Sequence, residues 1–207
     1  GTLQAGAVNT FSPASAITVS TGSTLDLAGL DQTIGSLAGA GDVTPGAGDL
    51  TTGGDNTSST FSGVISGTGG LTKTGIGVFT LSGLNTHSGP TIVSEGVLRA
   101  GALNTFSPTS ALTVSSGAIL DLAGLDQTIG SLAGAGNVLL GVGDLTTGSD
   151  NTSTTFSGVI SGTGGVTKIG TGTLILTADH IYSGGTSIDG GVLELGDGGT
   201  TGSVLGN

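Results

Sequence analysis

The chain reads as all-β: a right-handed parallel β-helix of about 9–10 coils, with no substantial helix. Three observations predict this. The first is a self-repeat at an offset of 95 residues. Gly1-Thr2-Leu3-Gln4-Ala5-Gly6 returns as Gly96-Val97-Leu98-Arg99-Ala100-Gly101, then as Gly191-Val192-Leu193-Glu194-Leu195-Gly196. A fixed period of this kind marks a solenoid or array. The second is a period of two inside short aliphatic runs. In Val78-Phe79-Thr80-Leu81 and its counterpart Thr173-Leu174-Ile175-Leu176, the second and fourth positions stay apolar, while the others exchange polar for apolar. That is a strand with one buried face. The third is the spacing of Gly: 44 in 207 residues, with no apolar series at helical period. Each Gly inside a helix would cost about 1 kcal/mol.

In chain order, Ile17-Thr18-Val19 (copy Leu112-Thr113-Val114) and Leu25-Asp26-Leu27 (copy Leu120-Asp121-Leu122) are strands, the second with its aspartate outward. Leu3, Ile34, Leu37, Val43, Leu50, Phe61, Ile65 and Leu71, with their copies, are the expected inward residues. Gly39-Ala40-Gly41 and Pro45-Gly46-Ala47-Gly48 are expected to be tight bends. Asn56-Thr57-Ser58 and Asn151-Thr152-Ser153 match a glycosylation sequon, but an Asx-type turn is the expected role. The units run 1–95, 96–190 and, as the start of a third, 191–207. The chain opens and closes inside repeats, so it reads as a piece of a longer protein. Stacked at about 4.8 Å per coil, it should form a rod roughly 40–50 Å long. The right hand follows from the crossover preference of parallel strands.

The stretch Thr60 to Ala100, TFSGVISGTGGLTKTGIGVFTLSGLNTHSGPTIVSEGVLRA, returns almost intact as Thr155 to Leu195. It resembles the autotransporter-associated β-strand repeat, also called the passenger-associated transport repeat, of bacterial type V autotransporter passengers. The family signature is GxGxxTLSGxNTYSGxTxVxxGxL. His87 stands where the family has Tyr, and Pro90 where it has Gly. In the second copy Asp179-His180-Ile181 replaces Leu-Asn-Thr, while Tyr182 is present. The resemblance implies a β-helical fold, export through the periplasm and display on, or shedding from, a Gram-negative cell.

Composition narrows the function. The formal charge is −11, and Lys73, Arg99 and Lys168 are the basic residues. Such a surface repels nucleic acid and anionic membranes. No segment has transmembrane length. The absence of Cys removes disulfides and thiol catalysis. Asp26/Asp121, Asp31/Asp126, Asp49/Asp144 and Asp55/Asp150 recur in both units. A glycan-cleaving β-helix needs a carboxylate pair beside a groove, but the duplication of these aspartates points to turn and solvation roles. Gly53-Gly54-Asp55-Asn56 is only a fragment of a calcium β-roll motif, and Gly54 becomes Ser149. His87 and His180 are not at equivalent positions and lack partners at zinc-ligand spacing. Gly67-Thr68-Gly69-Gly70 lacks the GK[ST] and helix of a phosphate loop. No Ser–His–Asp set is indicated. Lys73/Lys168 shares inward parity with Leu71/Val166, and its ammonium is expected to reach solvent or a recurring Asp at a corner.

The expectation is therefore a non-enzymatic protein with no catalytic, cofactor-binding or metal site and no cofactor. Its expected role is a structural stalk of a surface-displayed passenger, with repeats that assist export by sequential folding. The alternative is an adhesin or self-associating filament module with head-to-tail stacking. Expected partners are further copies of the chain, or a host or neighbouring cell surface engaged through the parent protein.

Overall fold

A computed structural model describes residues 1–204. The chain winds as a parallel β-solenoid of about ten coils, and the described residues include no helix. Each coil has three walls. One wall is a nine-stranded parallel sheet running from Ala16–Val19 to Ile181–Tyr182, and a second runs from Gln32–Thr33 to Val192–Leu195. The third wall holds two four-stranded sheets. One contains Thr2–Gln4, Thr24–Asp26, Asp42–Gly46 and Ile65–Gly67. The other contains Gln127–Ile129, Leu145–Thr147, Val166–Lys168 and Thr186–Ile188. Successive strands on a wall pair at offsets of 18 to 22 residues, as in Gln32↔Leu50 and Val43↔Ile65.

One continuous column of apolar side chains fills the axis. Leu25, Val43, Leu50, Phe61, Ile65, Leu71, Phe79 and Leu81 are buried, as are their counterparts one repeat later. Each fully buried Leu, Ile or Phe contributes roughly 1.5–3 kcal/mol. The alternate positions face out: Val78, Thr80, Thr173 and Ile175 are half-buried. Leu3 departs from its expected burial and is 51% exposed. Its parity is inward, but no earlier coil of this chain covers it, and its counterpart Leu98 is fully buried. Pro45 opens the expected bend, in which the Gly48 N–H donates to the Pro45 carbonyl at 3.2 Å and Gly46 takes φ 67°. It also lies inside the strand Asp42–Gly46, at a shift of register between Val43 and Gly46. A proline, which has no N–H to donate, fits a sheet at such an irregularity, and Leu140 fills the place in the second unit.

The repeat and the coil do not share a period. Between Thr24–Asp26 and its counterpart Ile119–Asp121 the chain adds twelve strands and two wall segments without a strand, around residues 86 and 106. Fourteen segments at three per coil make four and two-thirds coils. Each unit therefore begins two-thirds of a turn round from the last. Thr173–Leu176 accordingly lies on a different wall from Val78–Leu81, its counterpart, and Val166–Lys168 on a different wall from Leu71–Lys73. Excising residues 96–190 turns everything downstream by two-thirds of a turn but gives each coil neighbours of the same kind. The shortened chain is expected to keep the strand signature in circular dichroism and a cooperative melt. A random-coil spectrum would contradict this registration.

Candidate functional site

The two strandless segments, around Asn85–His87 and Thr105–Ser107, interrupt the third wall, and buried polar side chains replace the missing ladder there. Asn85 is the centre of this arrangement. Its Oδ1 accepts from the Ile65 N–H at 2.8 Å, and its Nδ2 donates to the Thr105 carbonyl at 2.6 Å. One side chain thus bridges three coils. Gln127 acts on the next coil: its Oε1 accepts from the N–H groups of Thr105 and Phe106, and its Nε2 donates to the Ala102 carbonyl. Gln32 makes the same bonds to Thr10, Phe11 and Ala7. His87 Nε2 pairs with Thr91 Oγ1 at 2.8 Å, and Thr91 with Ser110 Oγ at 2.8 Å; Ser110 donates to the Gly89 carbonyl. Ser107 donates to the His87 carbonyl. A buried polar group without a partner is costly, so this set keeps the interrupted wall closed.

The second copy keeps part of this arrangement with other residues, beside a strand, Ile181–Tyr182, where the first copy has none. His180 stands in the place of Asn85, and its Nδ1 accepts from the Ile160 N–H at 3.1 Å. Tyr182 stands in the place of His87, and its hydroxyl pairs with Thr186 at 2.6 Å. The His180 ring lies near Phe156 and Tyr182, each at 6.4 Å between centroids. His87 Nδ1 and His180 Nε2 are buried without a hydrogen-bond partner. Burial pushes the His87 imidazole down to about 4. Burial also lowers His180, against the opposing charge of Asp179.

The recurring aspartates cap backbone. Asp26 and Asp121 accept from the N–H groups of Ala28 and Ala123, which have positive φ. Asp31 and Asp126 accept from the N–H of Asp49 and Asp144, and these accept in turn from Gly70 and Gly165 in the next coil. Asp26 and Asp31 thus hold separate backbone groups. The Asx turn at the sequon belongs to Asp55, which accepts from the Thr57 N–H. Asn56 instead takes φ 61° and caps the Ile76 N–H one coil on. Asp150 has its carboxyl below the ordinary range. Burial alone would raise it, but the Ser131 hydroxyl, Thr152 and the charge of Lys168 outweigh that.

The lysines depart from expectation. Lys73 and Lys168 are 1% exposed, and neither ammonium reaches solvent. Lys73 Nζ donates to the carbonyls of Thr74, Gly75 and Glu95 at 2.6, 2.7 and 3.3 Å. Lys168 uses those of Ile169, Gly170 and Gly190. Both side chains point inward, as their parity with Leu71 and Val166 predicts. The corner itself supplies the partners, because its carbonyls turn inward and need donors. Burial lowers the pKa of both, opposed by Glu95 and Asp55 for Lys73 and by Asp150 for Lys168. Among the described residues, no group of three or more His, Cys, Asp or Glu side chains is placed to hold a metal ion. The residues missed from sequence were Gln32, Asn85, Thr91 and Ser110. Their signal was weak: polar residues at inward parity within a repeated motif.

The passenger-associated-transport-repeat family matches residues 71–100 and 166–195. The chain is 45% identical over 158 residues to the adhesin BmaC autotransporter of Brucella suis biovar 1 (strain 1330); the match takes in 72% of the chain and 5% of that protein. No solved structure matches significantly. The chain is a β-solenoid segment of the autotransporter-passenger type, carrying two passenger-associated transport repeats and homologous to part of an adhesin autotransporter.

Proposed function

We propose that the chain is a rigid, non-enzymatic stalk segment of a surface-displayed passenger, and that its repeats help draw the passenger out of the cell. The supporting observation is that every strand pairs only with strands about one coil away. Each coil emerging outside the membrane can therefore dock at once on the one before it. Docking buries apolar side chains and completes a ladder, which biases the chain against sliding back. The sparse charge suits passage of an unfolded chain. Leu81→Asp with Leu176→Asp, placed in the parent protein, puts unpaired charges into the core of two coils. Surface exposure, read by protease shaving of whole cells, is expected to fall several-fold while the chain accumulates inside. Unchanged secretion would count against the proposal.

A second reading is supported by the name of the relative, an adhesin. In that reading the parent engages a host or neighbouring cell surface, or further copies of itself by end-to-end stacking, an open heterologous contact. Light scattering of the purified chain tests the self-association arm: growth of particle mass with concentration supports it, and a constant monomer mass rejects it.

A further inference from the structure

Arg99 is the one basic side chain exposed among the described residues, since both lysines are buried. It stands in an outward column on the wall that runs from Ala16–Val19. In successive coils that column reads Thr60, Thr80, Arg99, Asp121. Beside it is a groove of about 320 Å³ lined by Ser58, Ser59, Thr60, Val78, Thr80 and Arg99. Asp121 takes only the Nε of Arg99, at 2.8 Å. Among the described residues, neither Nη of Arg99 nor the hydroxyls of Ser59, Thr60 and Thr80 has a hydrogen-bond partner. The groove thus presents a free planar guanidinium edge, a row of free hydroxyls and one aliphatic side chain along the solenoid axis.

We propose that this groove binds an acidic saccharide, with the sugar carboxylate on Arg99. A guanidinium matches a carboxylate through paired, charge-assisted hydrogen bonds, and this local contact has to outweigh the repulsion of a chain of net charge −11 and of the adjacent Asp121 carboxylate. Serine and threonine hydroxyls both donate and accept, as sugar hydroxyls do, and Val78 offers an apolar patch to a sugar ring. Thr60, Thr80 and Arg99 follow one another at about 4.8 Å, so the ligand lies along the axis and spans three coils. The chain contains its own negative control. In the second unit Thr80 becomes Ile175 and Arg99 becomes Glu194, on a different wall. With Val78 also replaced by Thr173, that groove keeps its number of hydroxyls but has exchanged the places of the hydroxyl and the apolar patch and has reversed its charge, so the proposed site occurs in the first unit alone. The proposal adds to a display role and does not depend on the export role.

The test is a titration of the isotope-labelled 207-residue chain, followed by amide shifts. The probes are a galacturonic acid trimer, the neutral galactose trimer and acetate. The galacturonate trimer is expected to give saturable shifts confined to Ser58–Thr60, Val78–Thr80 and Arg99, with half-saturation at about 1 mM. Arg99→Gln should weaken it about tenfold, and Thr80→Ile should weaken it less. Both variants copy residues already found at these repeat positions. Gln4 bonds Asp26 at 2.7 Å as Arg99 bonds Asp121, so the glutamine keeps the ladder. Acetate or the neutral trimer binding as well as the galacturonate would overturn the proposal. So would an unchanged titration of Arg99→Gln, or no shifts at all.

Discussion

Gly134→Ala is expected to destabilise the solenoid by about 4 kcal/mol or more, while Gly117→Ala costs about 1 kcal/mol. Both glycines have positive φ, 105° at Gly134 and 84° at Gly117, so both substitutions carry backbone strain. The difference lies in what a new Cβ would meet. At Gly117 nothing lies within 4 Å. At Gly134 the Cβ would sit 2.1 Å from the carbonyl oxygen of Val114, in the coil below. That oxygen already accepts two N–H groups, from Ala135 and Gly136, each at 2.9 Å. Backbone cannot swing aside as a side chain can, so relief of the clash breaks both bonds and lifts one coil off the next. Gly39 repeats the situation against Val19, at the same 2.1 Å. Urea unfolding of the two variants, read by circular dichroism, checks this. Equal midpoints would show that coil contact is not what fixes Gly134.

The pattern of hydrophobic parity was readable because a strand's side chains alternate strictly. Leu25, Val43, Phe61 and Leu71 and their copies had no other face to take. The resemblance of the Thr60–Ala100 stretch to a known repeat was readable for the same reason, since its glycines and aliphatics serve coil geometry. What could not be read was the phase of the repeat against the coil. Coil length varies between 18 and 22 residues with the turns, and a 95-residue offset fixes no whole number of coils. Nor did parity reveal where Lys73 ends. An inward lysine in a thin core was expected to bend out to water. The turn Thr74-Gly75, however, points carbonyls inward, and a main-chain feature of that kind leaves no mark in composition. Asn85 and Gln127 were obscured by the same ambiguity. A polar residue at inward parity reads equally as a strand end or as a buried clamp; Gln127 is both, and for Asn85 the absence of a strand at residues 85–87 decides.

Acidification from pH 6.5 to about 4 is expected to lower stability by about 3 kcal/mol through His87, with His180 adding in the same direction. The sign follows from the folded state. Burial holds both rings neutral, so their folded pKa values lie below 6.5, the ordinary value of histidine. Above pH 6.5 both states are neutral and the full stability is present. As pH falls through 6.5 the unfolded chain takes up protons that the folded chain refuses until about pH 4, and stability is lost across that window. Geometry gives the same answer for His180: its Nδ1 accepts the Ile160 N–H, and a proton there would break the cap. Among the described residues, Asp179 is the charged group that acts on that ring. The carboxylates that the fold lowers, Asp26, Asp55, Asp150 and Asp179, start from 3.8 and act below this window. The chain supplies replacements that do not titrate in this range, since Asn85 does the work of His180 and Tyr182 the work of His87. Urea midpoints of His180→Asn and His87→Tyr across pH 4.5–7.5 should flatten one at a time and become nearly level in the double variant. If the larger tyrosine ring lowers the midpoint at every pH, the slope with pH is still the measurement. An undiminished slope in the double variant would place the acid sensitivity elsewhere in the solenoid.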